Sequence, residues 1–315
     1  MKRIETRRRL RIATLLASVF AVMPVVLAAD LKIENLKNDK AESFTSDEIE
    51  AAEPLSEEVT PEELEEMKQR FRELYPDAIT VPPRKGGEVQ QKGQPEPVDH
   101  PGANSPYWNT GKLVFRKSGG GTHRCTAQFV DTNVLLTAAH CVYDAAAKAW
   151  NSEFRFYQAY DDGDYTQSVG WRCVSIFSAY HTPAKNYAFD YAFILTDTAD
   201  DQAPLAMHTG APATVPLTAV GYPRNYGDGK RLYSVDGDWG TVDGGIVTMT
   251  GNPMRSGNSG GAWFSEFKVD GGDTNNLVVS LNSHHVSGND TDENGPLFTA
   301  DTEILLGHVR GGGCL

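Results

Sequence analysis

The chain has 315 residues and a net charge of −13, and its composition changes along its length. The 42 acidic residues outnumber the 29 basic ones, and no stretch is basic and aromatic enough for a nucleic-acid surface. The composition therefore excludes nucleic acid as a partner. The length is sufficient for two domains, and three parts of the chain need separate interpretation.

Residues 1–29 have the pattern of an export signal. A basic start is followed by an apolar run that ends in the small residues Ala28 and Ala29. This pattern predicts a signal peptide and a secreted or periplasmic product with no stable membrane association after signal cleavage. The alternative is an uncleaved membrane anchor, because the apolar run approaches the length of a spanning helix. Pro24 favours cleavage.

Residues 30–99 form an acidic segment with 19 acidic and nine basic residues and neither Cys nor Trp. Such a composition predicts a largely disordered segment. One short helix is expected after Thr60, because Thr60 and Glu63 form a capping box around Pro61. Apolar residues follow at helical spacing and predict a face that needs a partner surface: Leu64, Met67, Phe71 and Leu74.

Residues 100–315 hold every cysteine, tryptophan and histidine of the chain. Turns rich in Gly, Asp and Asn separate short runs rich in Val, Phe, Tyr and Thr, without long helical periodicity. This pattern predicts an all-β barrel or sandwich.

Four cysteines behind an export signal indicate disulfide bonds. Cys125 and Cys141 would tie a strand to the segment around a histidine, which leaves Cys173 and Cys314 to pair. Four cysteines allow three connectivities, and the spacing does not choose among them. A zinc site is the competing interpretation, but no Cys-x-x-Cys pair occurs, and we expect no metal here.

Three motifs together predict nucleophilic catalysis. His140 follows small and aliphatic residues in LLTAAHC, and Ser259 stands among glycines in RSGNSGG. Serine needs a base to remove its proton, and the histidine needs an acid to orient it. Asp190, between an aromatic-rich turn and an apolar strand, is the natural acid. Each motif alone has a structural explanation, as a core histidine, a glycine turn or a strand cap, but the three in this order favour a catalytic triad.

TAAHC, DYAFI and GNSGG closely resemble the three signatures of trypsin-like serine proteases. The compact spacing and AVGYP at 219–223 resemble the bacterial glutamyl endopeptidase branch. The resemblance implies a protease domain at 100–315 with two antiparallel six-stranded β-barrels of chymotrypsin type, about 105–205 and 206–315. It also implies that Ser259 is the nucleophile, and that the N–H groups of Gly257 and Ser259 form the oxyanion hole.

The substrate pocket is also inferred from this resemblance. In the glutamyl branch, a histidine on the strand after the nucleophile helps bind an acidic side chain, and Asn282 occupies the matching position here. Ser283 and His284 complete the expected pocket, because a shifted strand would bring His284 or the neighbouring His285 into it. The alternative is that His284 and His285 form a solvent-exposed strand end. Ser280 or Ser283 would lie behind the triad. A preference for Glu or Asp before the cut is therefore an expectation.

The residue before the nucleophile is Asn258, where many trypsin-like enzymes have an aspartate that pairs with a new N-terminal amine. That ion pair cannot form with asparagine, so activation must differ. The resemblance implies that residues 30–99 are the prosegment of a zymogen and a partner of the protease domain. The segment either docks through its helix, blocking the cleft or assisting folding, or is a solvated acidic spacer.

One further motif has the oxygen spacing of a calcium loop, with Asp290, Asp292 and Asn294 followed by Asp301. Clusters of Asp, Asn and Gly are also ordinary turn chemistry, and we expect no cofactor. The predicted function is a secreted serine endopeptidase that acts on polypeptides. The alternative is a catalytically silent binding module of the same fold. A lipase or esterase would have the order Ser, Asp, His in an α/β fold.

Overall fold

The structure is a computed structural model that describes residues 31–38, 43–76, 78, 93–213, 215–271 and 275–315. The predicted signal peptide, residues 1–29, lies outside the described residues, as does most of the linker-like stretch after Tyr75.

The helices and strands follow one another in three groups. Before residue 100 they are β1 (Ile33–Lys37), α1 (Ser46–Ala51), β2 (Glu53–Pro54), β3 (Glu58–Val59), α2 (Pro61–Leu74) and β4 (Glu96–Pro97). The second group is β5 (Thr110–Arg116), β6 (Thr122–Asp131), β7 (Val134–Thr137), α3 (Ala139–Val142), β8 (Tyr143–Asp144), β9 (Ala149–Trp150), β10 (Ser152–Gln158), β11 (Gln167–Val169), β12 (Trp171–Phe177) and β13 (Ala192–Thr196). The third is β14 (Leu217–Gly221), β15 (Tyr233–Asp243), β16 (Ile246–Thr250), β17 (Ala262–Ser265), β18 (Leu277–Leu281), β19 (His285–Val286), β20 (Asp292–Pro296) and α4 (Ala300–Arg310).

The strands form two curled antiparallel half-barrels. The first sheet has the order β1-β12-β13-β7-β6-β5-β10-β11, with β2 beside β6, and the second has the order β18-β17-β14-β15-β16-β20, with β4 beside β15. Within the described chain, β5–β7 and β10–β13 build the first half-barrel, and β14–β18 and β20 build the second. β8 pairs with β9, and β19 pairs with β3 of the preceding segment. This arrangement confirms the predicted all-β, chymotrypsin-like fold. The additional strands β1, β2 and β4 come from the segment before residue 100.

The strand β6 is buried on both of its faces. Its buried apolar residues alternate with buried polar ones, because neighbouring residues of a strand point to opposite faces. The apolar set is Cys125, Ala127 and Phe129, and the polar set is Arg124, Thr126 and Gln128. The polar set makes contacts with the second half-barrel that position the site described below.

The disulfides confirm one of the three possible connectivities. Cys125 pairs with Cys141 and so joins β6 to α3, and Cys173 pairs with Cys314 and so joins β12 to the C-terminal end. Both bonds lie within residues 100–315, as the composition predicted.

Residues 30–99 differ from the prediction of a largely disordered segment. The described residues of this segment, called the leader from here on, pack against the two half-barrels. Six apolar side chains of the leader are buried in the same core as the first sheet: Phe44, Ile49, Ala52, Val59, Leu64 and Val98. The physical reason is that low hydrophobicity limits what a segment buries by itself, whereas the leader buries its few apolar residues against a preformed surface.

The helix α2 begins where its capping box predicted. The Thr60 side chain accepts from the Glu63 N–H at 3.1 Å, and the Glu63 carboxylate accepts from the Thr60 N–H at 2.8 Å. Leu64 is buried, and Phe71 packs 6.1 Å from Phe189 between ring centroids. The predicted face is wrong at its end, because Leu74 is 62% exposed. The helix therefore docks through its first three turns.

The stretch with calcium-loop spacing forms the strand β20 and pairs with β16. Asp292 accepts from the N–H of Gly251 at 3.2 Å, and Asn294 accepts from the Thr248 hydroxyl at 2.8 Å. These oxygens therefore already accept hydrogen bonds from β16 and from the turn that follows it, and Asp301 lies on α4.

No helix in the described ranges combines the length and apolar character needed to cross a membrane.

Candidate active site

His140 and Asp190 form a buried, doubly bonded pair. His140 lies on α3, and Asp190 follows the short 3-10 turn Tyr187–Phe189. The Nδ1 atom of His140 is 2.8 Å from Oδ2 of Asp190, and the backbone N–H of His140 donates to Oδ1 at 2.9 Å. Two bonds to one carboxylate fix both the position and the ring orientation of the histidine.

A hydroxyl from the second half-barrel completes the environment of Asp190. Ser283 donates to Oδ2 of Asp190 at 2.5 Å. The sequence left open whether Ser280 or Ser283 would have this place. Ser280 donates instead to the carbonyl of Pro296 at 2.8 Å, so Ser283 is the supporting serine.

The interaction between His140 and Asp190 shifts the pKa of both groups. Burial by itself lowers the pKa of His140, but the Asp190 carboxylate outweighs burial, so the pKa of His140 is raised overall. Burial by itself raises the pKa of Asp190, but the attraction and hydrogen bonds of His140, with the Ser283 bond, lower that pKa overall. The pair therefore favours a charged carboxylate beside an imidazole that gains a proton readily.

Ser259 lies in a loop whose backbone conformation requires glycine both before and after the serine. Gly257 has φ +92° and Gly260 has φ +86°, the left-handed region that favours glycine. A Cβ on Gly260 would come within 2.3 Å of the Thr126 carbonyl oxygen, and one on Gly257 within 2.8 Å of the Tyr222 carbonyl oxygen. The loop thus fits closely between the half-barrels.

Polar residues of β6 hold this loop from the first half-barrel. The N–H of Thr126 donates to the Ser259 carbonyl at 2.8 Å, and its hydroxyl donates to the Gly257 carbonyl at 2.9 Å. Gln128 donates to the Gly260 carbonyl at 2.9 Å. These bonds join the strand that carries Cys125 to the loop that carries the serine.

The same contacts bring Ser259 beside the histidine segment. The Ser259 carbonyl oxygen is 3.9 Å from Sγ of Cys141, the residue after His140. The Nε2 atom of His140 is buried and has no hydrogen-bond partner among the described residues. A buried ring nitrogen without a partner is costly, and it is the nitrogen that a general base would use.

The leader occupies the cleft at this point. The carbonyl oxygen of Leu55 accepts from the N–H of Gly257 at 2.7 Å. The Leu55 N–H donates to the carbonyl of Arg124 at 3.1 Å, and Nε of Arg124 donates to the carbonyl of Ala52 at 3.1 Å. One of the two donors expected for the oxyanion hole is therefore engaged by a backbone carbonyl of the same chain.

Beyond Leu55 the leader continues as β3, which pairs in parallel with β19. The N–H of His285 donates to the Glu57 carbonyl at 3.1 Å, and the N–H of Ser287 donates to the Val59 carbonyl at 2.8 Å. The Ser56 hydroxyl is 3.3 Å from Nε2 of His285. The leader is thus held in the cleft by backbone bonds as well as by side chains.

The Glu57 carboxylate binds two side chains of the loop that precedes Asp190. One oxygen of Glu57 lies 2.8 Å from Nζ of Lys185 and accepts from the Tyr187 hydroxyl at 2.7 Å. The Tyr187 ring stacks on His284 with 4.0 Å between centroids. The negative charge of Glu57 is also a minor contributor to the raised pKa of His140.

The expected pocket residues all have partners within the protein. Asn282 is fully buried, donates to the Val220 carbonyl at 2.9 Å and accepts from Trp263 Nε1 at 2.7 Å. Ser283 binds Asp190, as described, and His284 is buried, which lowers its pKa to about 3. A neutral, buried histidine is a poor partner for a carboxylate, so these residues form the wall behind the cleft.

His285 and Asn258 meet a buried carboxylate. Nδ1 of His285 and Nδ2 of Asn258 lie 3.3 and 3.4 Å from one oxygen of Glu293, and Nη1 of Arg255 lies 3.6 Å from it. Asn258 also donates to the Met254 carbonyl at 3.2 Å. The amide before the nucleophile is thus fixed inside the protein rather than available to a terminal amine.

Sequence reasoning missed the residues that the leader and β6 contribute. The alternation of polar and small residues in β6 was a usable signal for Thr126 and Gln128, because buried polar side chains need partners. Nothing in the sequence singled out Glu57, Lys185 or Tyr187. Cys125, Cys141 and His140 are clustered, but the two cysteines are joined as a disulfide, which removes them as thiolate ligands.

Two antiparallel half-barrels, with a buried His–Asp pair on the first and a glycine-framed serine on the second, define a serine protease of the chymotrypsin fold. The family model described as Trypsin matches residues 102–303, and the chain belongs to this family. The protein is accordingly a serine endopeptidase, a hydrolase that acts on peptide bonds.

Solved structures with the same fold include three proteases. A Glu endopeptidase in complex with MPD has a TM-score of 0.58 and 22% identity, and the match covers 69% of this chain and 96% of that one. A thermostable serine protease from an extremophilic microorganism has a TM-score of 0.55 and 24% identity, with 64% and 96% covered. The protease Anisep from Arthrobacter nicotinovorans has a TM-score of 0.51 and 23% identity, with 61% and 90% covered. A comparison with curated protein sequences gives no significant match.

Proposed function

We propose that the protein is an exported serine endopeptidase that works through the triad Ser259, His140 and Asp190 and is made as a latent zymogen. The observation that carries the proposal is the bond from Nδ1 of His140 to Asp190, with a buried Nε2 that has no hydrogen-bond partner within the part of the chain that the structure describes. A histidine oriented in this way is suited to accept the proton of a serine hydroxyl.

The proposed chemistry is acyl transfer in two steps. Nε2 of His140 takes the Ser259 proton as Oγ attacks the scissile carbonyl, and the N–H groups of Gly257 and Ser259 stabilise the oxyanion. The protonated histidine then gives its proton to the leaving amine, and the acyl-enzyme forms. Water, deprotonated by His140, attacks the ester, the proton passes to Ser259, and the acid product leaves. Asp190 holds the tautomer throughout.

Latency follows from the place of the leader. The Leu55 carbonyl engages the Gly257 N–H, so a substrate carbonyl cannot use that donor until the leader moves. This contact supports the interpretation of residues 30–99 as a cleft-blocking prosegment over that of a solvated spacer. Export fits the two disulfides and the basic, apolar start of the chain.

A preference for Glu or Asp before the cut is the finer part of the proposal. One similar structure is titled a Glu endopeptidase, and His285 lies at the edge of the cleft next to Ser56 of the leader. The buried Glu293 beside His285 opposes this preference electrostatically. Profiling of cut sites in a peptide library tests the preference, and enrichment of other residues before the cut would remove it.

The triad is tested with an active-site serine phosphonate and a peptide library, using the wild-type chain and Ser259→Ala. We expect labelling and cleavage in the wild type and neither in the variant. A folded wild-type chain, with its leader released, that neither reacts nor cleaves would instead support the catalytically silent binding module.

A further inference from the structure

We propose that Lys185 and Tyr187 form a carboxylate-binding subsite of the cleft, which Glu57 fills in the zymogen and an acidic side chain of a substrate fills during catalysis. The inference rests on the proposed protease function and adds a specificity determinant to it. It concerns a residue position near the scissile bond that is separate from the pocket expected around Asn282.

The contacts are those of a carboxylate site. The same Glu57 oxygen is 2.8 Å from the Lys185 ammonium and 2.7 Å from the Tyr187 hydroxyl. Hydrogen bonds in which one or both partners are charged are the stronger class, and two donors on one oxygen fix its position as well as its charge. Lys185 keeps a side-chain exposure of 28%, so it is only partly buried beneath the leader.

The subsite is built on a rigid support. Tyr187 is only 1% exposed, and its ring lies flat against the buried His284 at an interplanar angle of 16°. The turn that carries Tyr187 is capped by Asn186, whose side chain accepts from the Ala188 N–H at 3.1 Å. The hydroxyl is therefore held in place whether or not Glu57 is present.

The charges around the subsite leave it a net attraction for carboxylates. Glu63 and Asp190 are the other acids that act on Tyr187, but Asp190 is already paired with His140. Lys185, on the same loop as Tyr187, adds a positive charge 2.8 Å from the Glu57 carboxylate. An acidic side chain is thus better matched to this place than a neutral one.

The place of Glu57 along the leader brings the subsite near the reacting bond. Glu57 is two residues after Leu55, whose carbonyl binds the Gly257 N–H expected for the oxyanion. An extended chain spans about 3.3 Å per residue, so a side chain two residues from the reacting carbonyl lies about 7 Å along the cleft. We therefore expect selection for an acidic residue near the cut.

The test compares two peptides on one protein. The binding probe is a labelled peptide of residues 50–60 and its Glu57→Gln counterpart, measured by fluorescence polarisation on the full chain with Ser259→Ala and Glu57→Gln. This background removes turnover and removes the charge of the built-in occupant. Any fraction of molecules with the leader still in the cleft reduces both affinities equally, so the ratio of the two Kd values is independent of it.

We expect the Glu peptide to bind about tenfold more tightly than the Gln peptide. Adding Lys185→Met should bring the ratio close to one, and Tyr187→Phe, which keeps the buried ring, should lower it in part. Lys117→Met is the matched control, because Lys117 pairs with Asp144, and should keep the tenfold ratio. A ratio near one in the parent, or a ratio unchanged by Lys185→Met, overturns the inference.

A cleavage arm separates the inference from the function on which it rests. The full chain with Ser259 intact and Glu57→Gln is given competing peptides with Glu or Gln at each position near the cut, and the ratio of kcat/KM is measured with and without Lys185→Met. Selective binding without any cleavage would sink the proposed function and leave the subsite in place. Cleavage that depends on Ser259 but ignores Lys185 at every position would sink the subsite and leave the protease.

Discussion

At the residue scale, the Asp190 carboxylate is the centre of the site. It accepts from the His140 ring, from the His140 backbone N–H and from the Ser283 hydroxyl, and it has no solvent exposure. A buried carboxylate is costly unless donors compensate for the lost water, and here three donors do so. The carboxylate therefore stays charged and keeps the histidine in one orientation.

Asp190→Asn should lower kcat by about 10⁴-fold, because an amide can hold the histidine in the wrong tautomer. The measurement is kcat on a peptide substrate, with circular dichroism as a check that the variant is folded. Retention of more than about a tenth of the wild-type kcat would exclude Asp190 from the triad.

The pH dependence follows from the raised pKa of His140. The general base must be neutral, so activity should be lost as the pH falls through the pKa of His140, which lies above its ordinary value of 6.5. The acid limb of kcat/KM should therefore have an apparent pKa above 6.5. Glu57→Gln should lower the pKa of the His140 ring itself in chains whose leader remains bound, because the nearby negative charge is removed, and an NMR titration of the latent chain measures this shift. An acid limb below 6.5 in the wild type would contradict the assignment.

At the scale of elements, the leader is held by a helix at one end and by backbone pairing at the other. On α2, Arg72 binds both oxygens of Asp243 at 2.7 and 2.8 Å, and Phe71 lies against Phe189 next to the Asp190 turn. The parallel pairing of β3 with β19 then carries the leader across the cleft. Release of the leader requires both attachments to open.

Phe71→Ala should weaken the docking of α2, with Leu74→Ala as the matched control on the same helix. Phe71 is half-buried against Phe189, whereas Leu74 is 62% exposed, so only the first change removes buried contact area. We expect a loss of about 2 kcal/mol, or about 30-fold more open molecules. The readout is the rate at which a serine phosphonate labels Ser259 in the full chain. Equal rates in the two variants would show that the helix does not control the cleft.

At the scale of the whole molecule, the leader is part of the architecture as well as an occupant of the cleft. It adds β1 to the edge of β12 and β4 to the edge of β15, and it places six apolar side chains in a core that both half-barrels line. Strands at a sheet edge without a partner expose unpaired backbone groups. The leader thus covers edges that the protease part alone would expose.

Deletion of residues 30–99 should lower the yield of refolded protein, and addition of the deleted segment in trans should restore part of it. The measurement is the soluble, disulfide-bonded fraction after dilution from denaturant. Normal folding of the deleted chain together with unchanged latency would rule out both roles of the leader. Normal folding with immediate activity would leave only the inhibitory role.

The Cys173–Cys314 bond should stabilise the whole molecule, because this bond joins residues separated by 141 positions. Replacing both cysteines by serine should lower the free energy of unfolding by about 2 to 5 kcal/mol, since the unfolded chain gains freedom. Urea unfolding of the double variant and of the wild type measures the difference. Identical midpoints and slopes would contradict this expectation.

The sequence by itself determined the fold class, the start of the capped helix and the family. These properties depend on local patterns: the alternation of apolar residues in strands, the Thr60 capping box, and short motifs around His140 and Ser259 whose chemistry requires those residues in close order. The resemblance also narrowed the serine that supports Asp190 to two candidates, because Ser280 and Ser283 lie near the same buried strand end.

Tertiary structure alone decided the disulfide connectivity, the state of the leader and the partners of Glu57. Each depends on contacts between residues far apart in the chain: Glu57 meets Lys185, Leu55 meets Gly257, and Cys173 meets Cys314. The acidic composition of the leader predicted disorder because it describes what the segment buries alone. The leader is ordered because the surface that buries its apolar side chains is supplied by the half-barrels.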